Sequence, residues 1–243
     1  MTEAETVLLL TSLLHEQLSF CHVRYGDGDV FFATGTGPTI TGDGEEWSFE
    51  LSQKLKDAWF NLECPEYLAL GDLRTYAVSD GCEAEWDQML EDLTAVRHPK
   101  PIELVHMEAL RVGFGFARPF YEAVRDDPRR KVYVAPPPLG FEMAPRLNAE
   151  WLGVPLRVAW KPETVNNVLS IIEREKPEIV LFSAGRGGKI MQGKLACVMP
   201  EITQIDVGSG LDLLVEGGVR RGTDLRVNRA KVLNDYREVG LCP

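Results

Sequence analysis

The sequence predicts an α/β protein built on a single doubly wound, mostly parallel sheet with helices on both faces. Three observations predict it. Short β-branched runs alternate with stretches of helical periodicity, the pattern that builds a parallel sheet through helical crossovers. One run, Glu178–Ser183, is apolar throughout its middle (Ile179, Val180, Leu181, Phe182), as a central strand buried on both faces requires. The polar clusters fall where strands should end, on the edge where right-handed crossovers gather the strand C-termini.

A length of 243 residues fits one such domain, spanning 1–243 with a basic tail from about 219. Apolar residues make up 44% of the chain, enough for a core and too many for general disorder. The balance of 26 basic against 37 acidic residues excludes a general nucleic-acid coat or a polybasic membrane binder, yet permits a local basic pocket. Cys21, Cys64, Cys82, Cys197 and Cys242 never fall in C-x-x-C spacing, and no histidines cluster with them. Reduced thiols in a cytoplasmic protein are expected, without a zinc site. The apolar run Val7–Leu14 is short, broken by Thr11 and Ser12 and preceded by Glu3 and Glu5. It reads as neither a signal peptide nor a membrane span.

In chain order, 4–19 reads as an amphipathic helix with Val7, Leu8, Leu10, Leu13, Leu14 and Leu18 as its apolar positions. A strand follows at Phe20–Arg24. The Gly- and Thr-rich segment Phe31–Gly44 reads as a loop that could shape a site or cover it. Trp47, Leu51, Leu55 and Trp59 make the core stripe of a helix over 45–61. Glu66–Gly71 is a short buried strand, and 83–96 a helix with an acidic outer face. Leu104–Arg111 is a mixed apolar stretch carrying His106 and Glu108, and a helix follows over 117–126. Lys131–Ala135 is a strand stopped by Pro136 to Pro138. Helix 141–151, strand Leu156–Trp160 and helix 163–175 come next, the last opened by Pro162. After the central strand come a helix at about 189–198, a strand at Ile202–Val207 and an Arg-rich tail over 219–237 with partial helix.

The stretch between the first strand and that loop is Arg24-Tyr25-Gly26-Asp27-Gly28-Asp29. On an extended backbone Asp27 and Asp29 would turn to the same side. Gly26 and Gly28 would let a bulky anion approach. Same-side carboxylates repel, so a pair of this kind holds a cation or else forms a tight turn with solvated acids. Oxygen-only ligands suit Mg²⁺ or Mn²⁺, and Arg24 supplies a fork for phosphate or carboxylate.

A second cluster, Ser183-Ala184-Gly185-Arg186-Gly187-Gly188-Lys189, joins the central strand to a helix. Exposed backbone N–H groups, a helix N-terminus and two cations point to anion binding. Its glycine spacing fits neither a P-loop nor G-x-G-x-x-G, since Ile190 stands where a P-loop has a hydroxyl. The third cluster runs from Asp206 through Ser209 to Asp212.

With these residues the sequence resembles the GT-D fold glycosyltransferases, whose first strand is followed by R-[FY]-G-D-G-E; here Asp29 stands at the Glu position. The resemblance continues through Leu51–Trp59, Leu68–Asp72, Ser183-Ala184-Gly185 and Ile205–Ser209 with Asp212. It implies a Rossmann-like fold and a metal-dependent transfer of sugar from a nucleoside diphosphate sugar. Asp27 and Asp29 would hold Mn²⁺ or Mg²⁺ and the donor. Arg24, Gly26, Gly28, Ser183, Gly185, Arg186, Gly187, Gly188, Lys189, Asp206 and Ser209 would line the donor site. His106, Glu108 and Asp212 are the candidates for a group acting on the acceptor hydroxyl. Asp29 is one methylene shorter than Glu, and Ser209 stands where some members carry His. The acceptor is left open among glycan, protein, metabolite and modified nucleic-acid base. Two other classes compete. One is a phosphohydrolase with Asp27 as nucleophile, against which Phe31 replaces the usual hydroxyl residue. The other is a nucleotide-binding module without turnover.

Overall fold

First and last strands lie side by side at the centre of the sheet. The computed structural model describes residues 1–35, 46–60, 67–70, 88, 103–106, 108–215 and 229–242. Among them the strands are β1 (Cys21–Tyr25), β2 (Tyr67–Leu70), β3 (Glu103–His106), β4 (Lys131–Ala135), β5 (Glu150–Gly153), β6 (Ile179–Phe182) and β7 (Thr203–Asp206). They form one sheet in the order β3-β2-β1-β7-β6-β4-β5, and every pair is parallel. The chain runs outward from β1 on one side and fills the other side later. The β1–β7 seam is thus the place where strand order reverses, the usual ligand crevice of such sheets.

The described helices are α1 (Glu3–His15), α2 (Asp27–Thr34), α3 (Phe49–Phe60), α4 (Arg118–Asp126), α5 (Leu139–Met143), α6 (Pro162–Glu175), α7 (Gly185–Val198) and α8 (Arg229–Arg237). Strand alternation separates two cores. Val180 and Phe182 of β6 face Phe32, Leu51, Leu55, Val165 and Met191 from α2, α3, α6 and α7. Ile179 and Leu181 face Leu10, Phe120, Met143 and Tyr236 from α1, α4, α5 and α8. Helices on both faces of a parallel sheet make the fold doubly wound, as the sequence predicts. Local chemistry supports the elements. Thr2 and Glu5 close a reciprocal capping box on α1, and Pro162 occupies the first turn of α6.

Several boundaries differ from expectation. α2 begins at Asp27, so 31–34 are helical rather than loop, and 36–44 lie outside the described residues. The expected helix over 141–151 ends early. Asn148 takes a left-handed conformation at φ 51°, and Glu150–Gly153 pairs with β4 as an edge strand. Pairing to β4 outweighs the local helical pattern. The expected strand Leu156–Trp160 opens instead with a 3-10 turn at Leu156–Val158, which packs against α7. Of the expected helix over 83–96 only Gln88 is described, and the tail's 219–228 also lies outside the described residues. Among the described residues no helix is long and apolar enough to cross a membrane.

Candidate active site

The first candidate cluster is a helix start. β1 ends at Tyr25, and α2 opens one residue beyond Gly26. The Asp29 N–H donates to the Gly26 carbonyl at 3.0 Å, and the Gly26 N–H donates to Asp29 Oδ2 at 2.9 Å. A carboxylate at the third helical position reaching back to the residue before the helix is half of a capping box. The extended-backbone argument for Asp27 and Asp29 therefore fails: residues two apart on a helix diverge by about 200°. The side chain of Asp27 lies outside the described residues.

The second cluster is likewise the first turn of a helix rather than an open loop. α7 starts at Gly185, which has φ +56°, so Arg186 and Lys189 sit three apart and share one face. Gly187 answers a packing need: a Cβ there would stand 2.4 Å from the backbone carbon of Ala159. Both cations turn inward beneath the end of β1. Arg186 donates to the Gly28 carbonyl from Nη2 at 3.0 Å and Nε at 3.3 Å, and its guanidinium lies 3.8 Å from the Phe32 ring centroid. Lys189 Nζ lies 3.3 Å from Asp29 Oδ2 and 3.1 Å from Asp206 Oδ2. These side chains are nearly closed to solvent, at 7% for Lys189, 13% for Asp29 and 5% for Asp206. Buried charges persist only when paired, and here two acids meet two bases. Tyr25 lies beside them; burial, with the charges of Asp29 and Asp206, drives its phenol well above the ordinary range and keeps it protonated.

The opposite face of the sheet carries a separate set. Arg24 is buried and donates from Nη1 to the Val207 carbonyl at 2.8 Å, so it braces β1 against the end of β7 rather than reaching into an open site. Gly208, at φ +50°, makes room for it: a Cβ there would fall 2.6 Å from Arg24 Nη1. Ser183 Oγ is 2.7 Å from the Tyr133 hydroxyl. Burial, with the nearby charges of Asp212 and Asp206, pushes the Tyr133 phenol far up despite the Ser183 bond. The Ser209 carbonyl accepts from the Asp212 N–H at 3.2 Å, and Asp212 opens a short 3-10 turn on the same rim. His22 is fully buried; desolvation and the Arg24 charge lower its pKa to about 3, so it is neutral.

The structure thus brings Gly26, Gly28, Asp29, Gly185, Arg186, Lys189 and Asp206 together, with Ser183, Ser209 and Asp212 along the same rim. His106 and Glu108 make other contacts, although the Val112 N–H donates to the Gly210 carbonyl at 3.0 Å and sets the segment after Glu108 against the Asp212 rim. β3 is two strands from β1; His106 Nε2 lies 3.6 Å from Glu3 of α1, and Glu108 lies 2.7 Å from Arg111. The sequence reading also missed Tyr133 and Gln192. Gln192 is fully buried on α7 and donates to the His22 carbonyl at 3.1 Å. A hydroxyl in the middle of the apolar strand Lys131–Ala135 was the available signal for Tyr133. Gln192, one turn beyond Lys189, had none.

Among the described residues no three His, Cys, Asp or Glu side chains converge as a metal site. Asp29 Oδ2 is bound to the Gly26 N–H and Lys189, and Arg186 Nε lies 3.9 Å from Oδ1; a carboxylate oxygen is the ligand type that a hard cation takes.

The sequence matches no protein-family model and no curated protein. The fold is shared with solved structures. One is described as a new glycosyltransferase (DUF1792) from Streptococcus sanguinis; it is 15% identical with a TM-score of 0.56, over 86% of this chain and 80% of that one. A second, a domain described as having a distinct glycosyltransferase fold, is 14% identical at TM-score 0.53, over 85% and 82%. A third, a selenomethionine-substituted DUF1792 domain, is 15% identical at 0.53, over 86% and 82%. The chain therefore has the α/β glycosyltransferase-like fold of those proteins. At such identity the likeness is one of fold, and the site rests on its own geometry.

Proposed function

We propose that this protein transfers a sugar from a nucleoside diphosphate sugar to an acceptor hydroxyl. The observation that carries the reading is the convergence of Arg186 and Lys189 with Asp29 and Asp206 where β1, β6 and β7 end, on a fold shared with glycosyltransferase-fold proteins. Two cations at the N-terminus of α7 suit a diphosphate, because the helix end adds partial positive charge to their full ones.

In the reaction the bond between the sugar's anomeric carbon and the diphosphate oxygen breaks, and the acceptor oxygen bonds to that carbon. The electron pair leaves with the diphosphate, and the acceptor's proton must go to a base. Arg186 and Lys189 would hold the departing oxygens as charge builds on them. Lys189 stands in the first turns of α7 for this, with its ammonium between Asp29 and Asp206. A divalent ion, Mn²⁺ or Mg²⁺, would be held by Asp29 and would neutralise the diphosphate further. Asp212 is the candidate base we retain, on the rim beside β7. His106 lies 3.6 Å from Glu3 and Glu108 lies 2.7 Å from Arg111, so both are already engaged.

The test is release of nucleoside diphosphate from a panel of nucleotide sugars, with and without Mn²⁺. At least one donor should turn over, and Lys189→Met should abolish its turnover. Tight nucleotide binding with no turnover for any donor would instead mark a binding module.

A further inference from the structure

We propose that the shelf over the ends of β4 and β5 binds a pyranose ring of the acceptor, with the Trp151 indole as its stacking surface; this rests on the glycosyl-transfer reading above. The shelf is a cavity of about 550 Å³ lined chiefly by Pro136, Pro137, Trp151, Val154, Leu156 and Arg157. That volume lies within the ordinary range of small-molecule pockets. It opens on the strand C-termini, the same edge as the Lys189 cluster. The two sites touch: Leu156 Cδ2 stands 3.7 Å from where a Gly185 Cβ would be, so one wall of the shelf rests on the first residue of α7.

The lining is wrong for a second phosphate and offers an apolar surface to the C–H face of a sugar. It is almost wholly apolar, with Arg157 as its charged member. A pyranose has one face of weakly positive C–H groups, which favours the negative face of an aromatic ring, and an edge of hydroxyls that needs donors and acceptors. Trp151 offers such a ring while remaining 39% exposed.

The indole is also fixed in place. Its Nε1 donates to the Ala135 carbonyl at 2.9 Å. Two glycines flank it: a Cβ on Gly140 would fall 2.1 Å from Nε1, and one on Gly153 would fall 3.0 Å from Cζ2. Phe141 meets it edge-on, with ring centroids 6.2 Å apart. An exposed aromatic held by a hydrogen bond and two missing side chains is preorganised, so a ligand need not spend binding energy to order it.

Saturation-transfer NMR tests this without any donor, using methyl β-glucoside, cellobiose and N,N′-diacetylchitobiose as probes and sorbitol as the ring-free control. At least one glycoside should receive saturation at its ring C–H protons, and sorbitol should not. Trp151→Ala should cut the transfer at least five-fold, and Gly140→Ala, which displaces the indole, should do likewise. Phe49→Ala, exposed elsewhere, should leave it unchanged. Unaltered transfer in both the Trp151 and Gly140 variants, no transfer to any glycoside, or equal transfer to sorbitol would overturn the proposal. Donor turnover is read separately, so loss of the shelf and loss of the transfer reading give different results.

Discussion

Lys189 holds Asp29 at 3.3 Å, and that contact ties the first turn of α7 to the first turn of α2 across the end of the sheet. The same ammonium reaches Asp206 at 3.1 Å, so one cation serves the ends of both central strands. Removing it would leave two nearly buried carboxylates short of a partner. Breaking such a pair costs about 3–5 kcal/mol. Lys189→Met should therefore lower stability by that order in urea unfolding, and Asp206→Asn added to it should recover part of the loss. Diphosphate binding should not return in the double variant, which separates the structural role from the ligand role.

Gly28→Ala probes the neighbouring cation. The new Cβ would stand 2.8 Å from Arg186 Nη2, the end of a flexible side chain. Stability should change little, since alanine is favoured over glycine within a helix by about 1 kcal/mol. The guanidinium should swing off the Gly28 carbonyl, and the donor KM should rise while the melting temperature holds.

Gly187→Ala should behave oppositely. Its Cβ would press on Ala159 at 2.4 Å from the backbone carbon, where nothing can rotate away. Overpacking of this kind costs about 1–3 kcal/mol. A melting point lowered by several degrees is expected, because about 2–4 °C is lost per kcal/mol in a chain of this size.

These glycines show what was legible in the sequence and what was not. The parallel sheet, its fully buried interior strand Ile179–Phe182 and the gathering of three polar clusters on one edge followed from apolar patterning alone. That Asp29 caps a helix was hidden, because Gly26-Asp27-Gly28-Asp29 carries no helical periodicity and has weak helix formers. Gly187 looked like a phosphate glycine, yet it answers to Ala159, a contact that no local pattern encodes. Trp151 was placed in a helix because β5 owes its existence to pairing with β4, not to its own propensity.

His22 sets a pH dependence. Its folded pKa, about 3, lies below the ordinary 6.5, so the unfolded chain binds the extra proton within that window. Stability from this group is complete above pH 6.5 and is lost as pH falls toward 3. Between pH 7 and pH 5 the loss should be about 2 kcal/mol. Urea unfolding at the two values should show it in the parent protein and should show a smaller difference in His22→Gln.

The central claim is that Arg186 and Lys189 form a diphosphate site, and thermal shift with nucleoside diphosphates against the matching monophosphates tests it most directly. At saturating ligand at least one diphosphate should raise the melting temperature by about 5 °C. Mn²⁺ should enlarge the shift, the monophosphate should give little, and Lys189→Met should abolish it. Equal shifts from mono- and diphosphate, or a shift unchanged in Lys189→Met, would contradict the account.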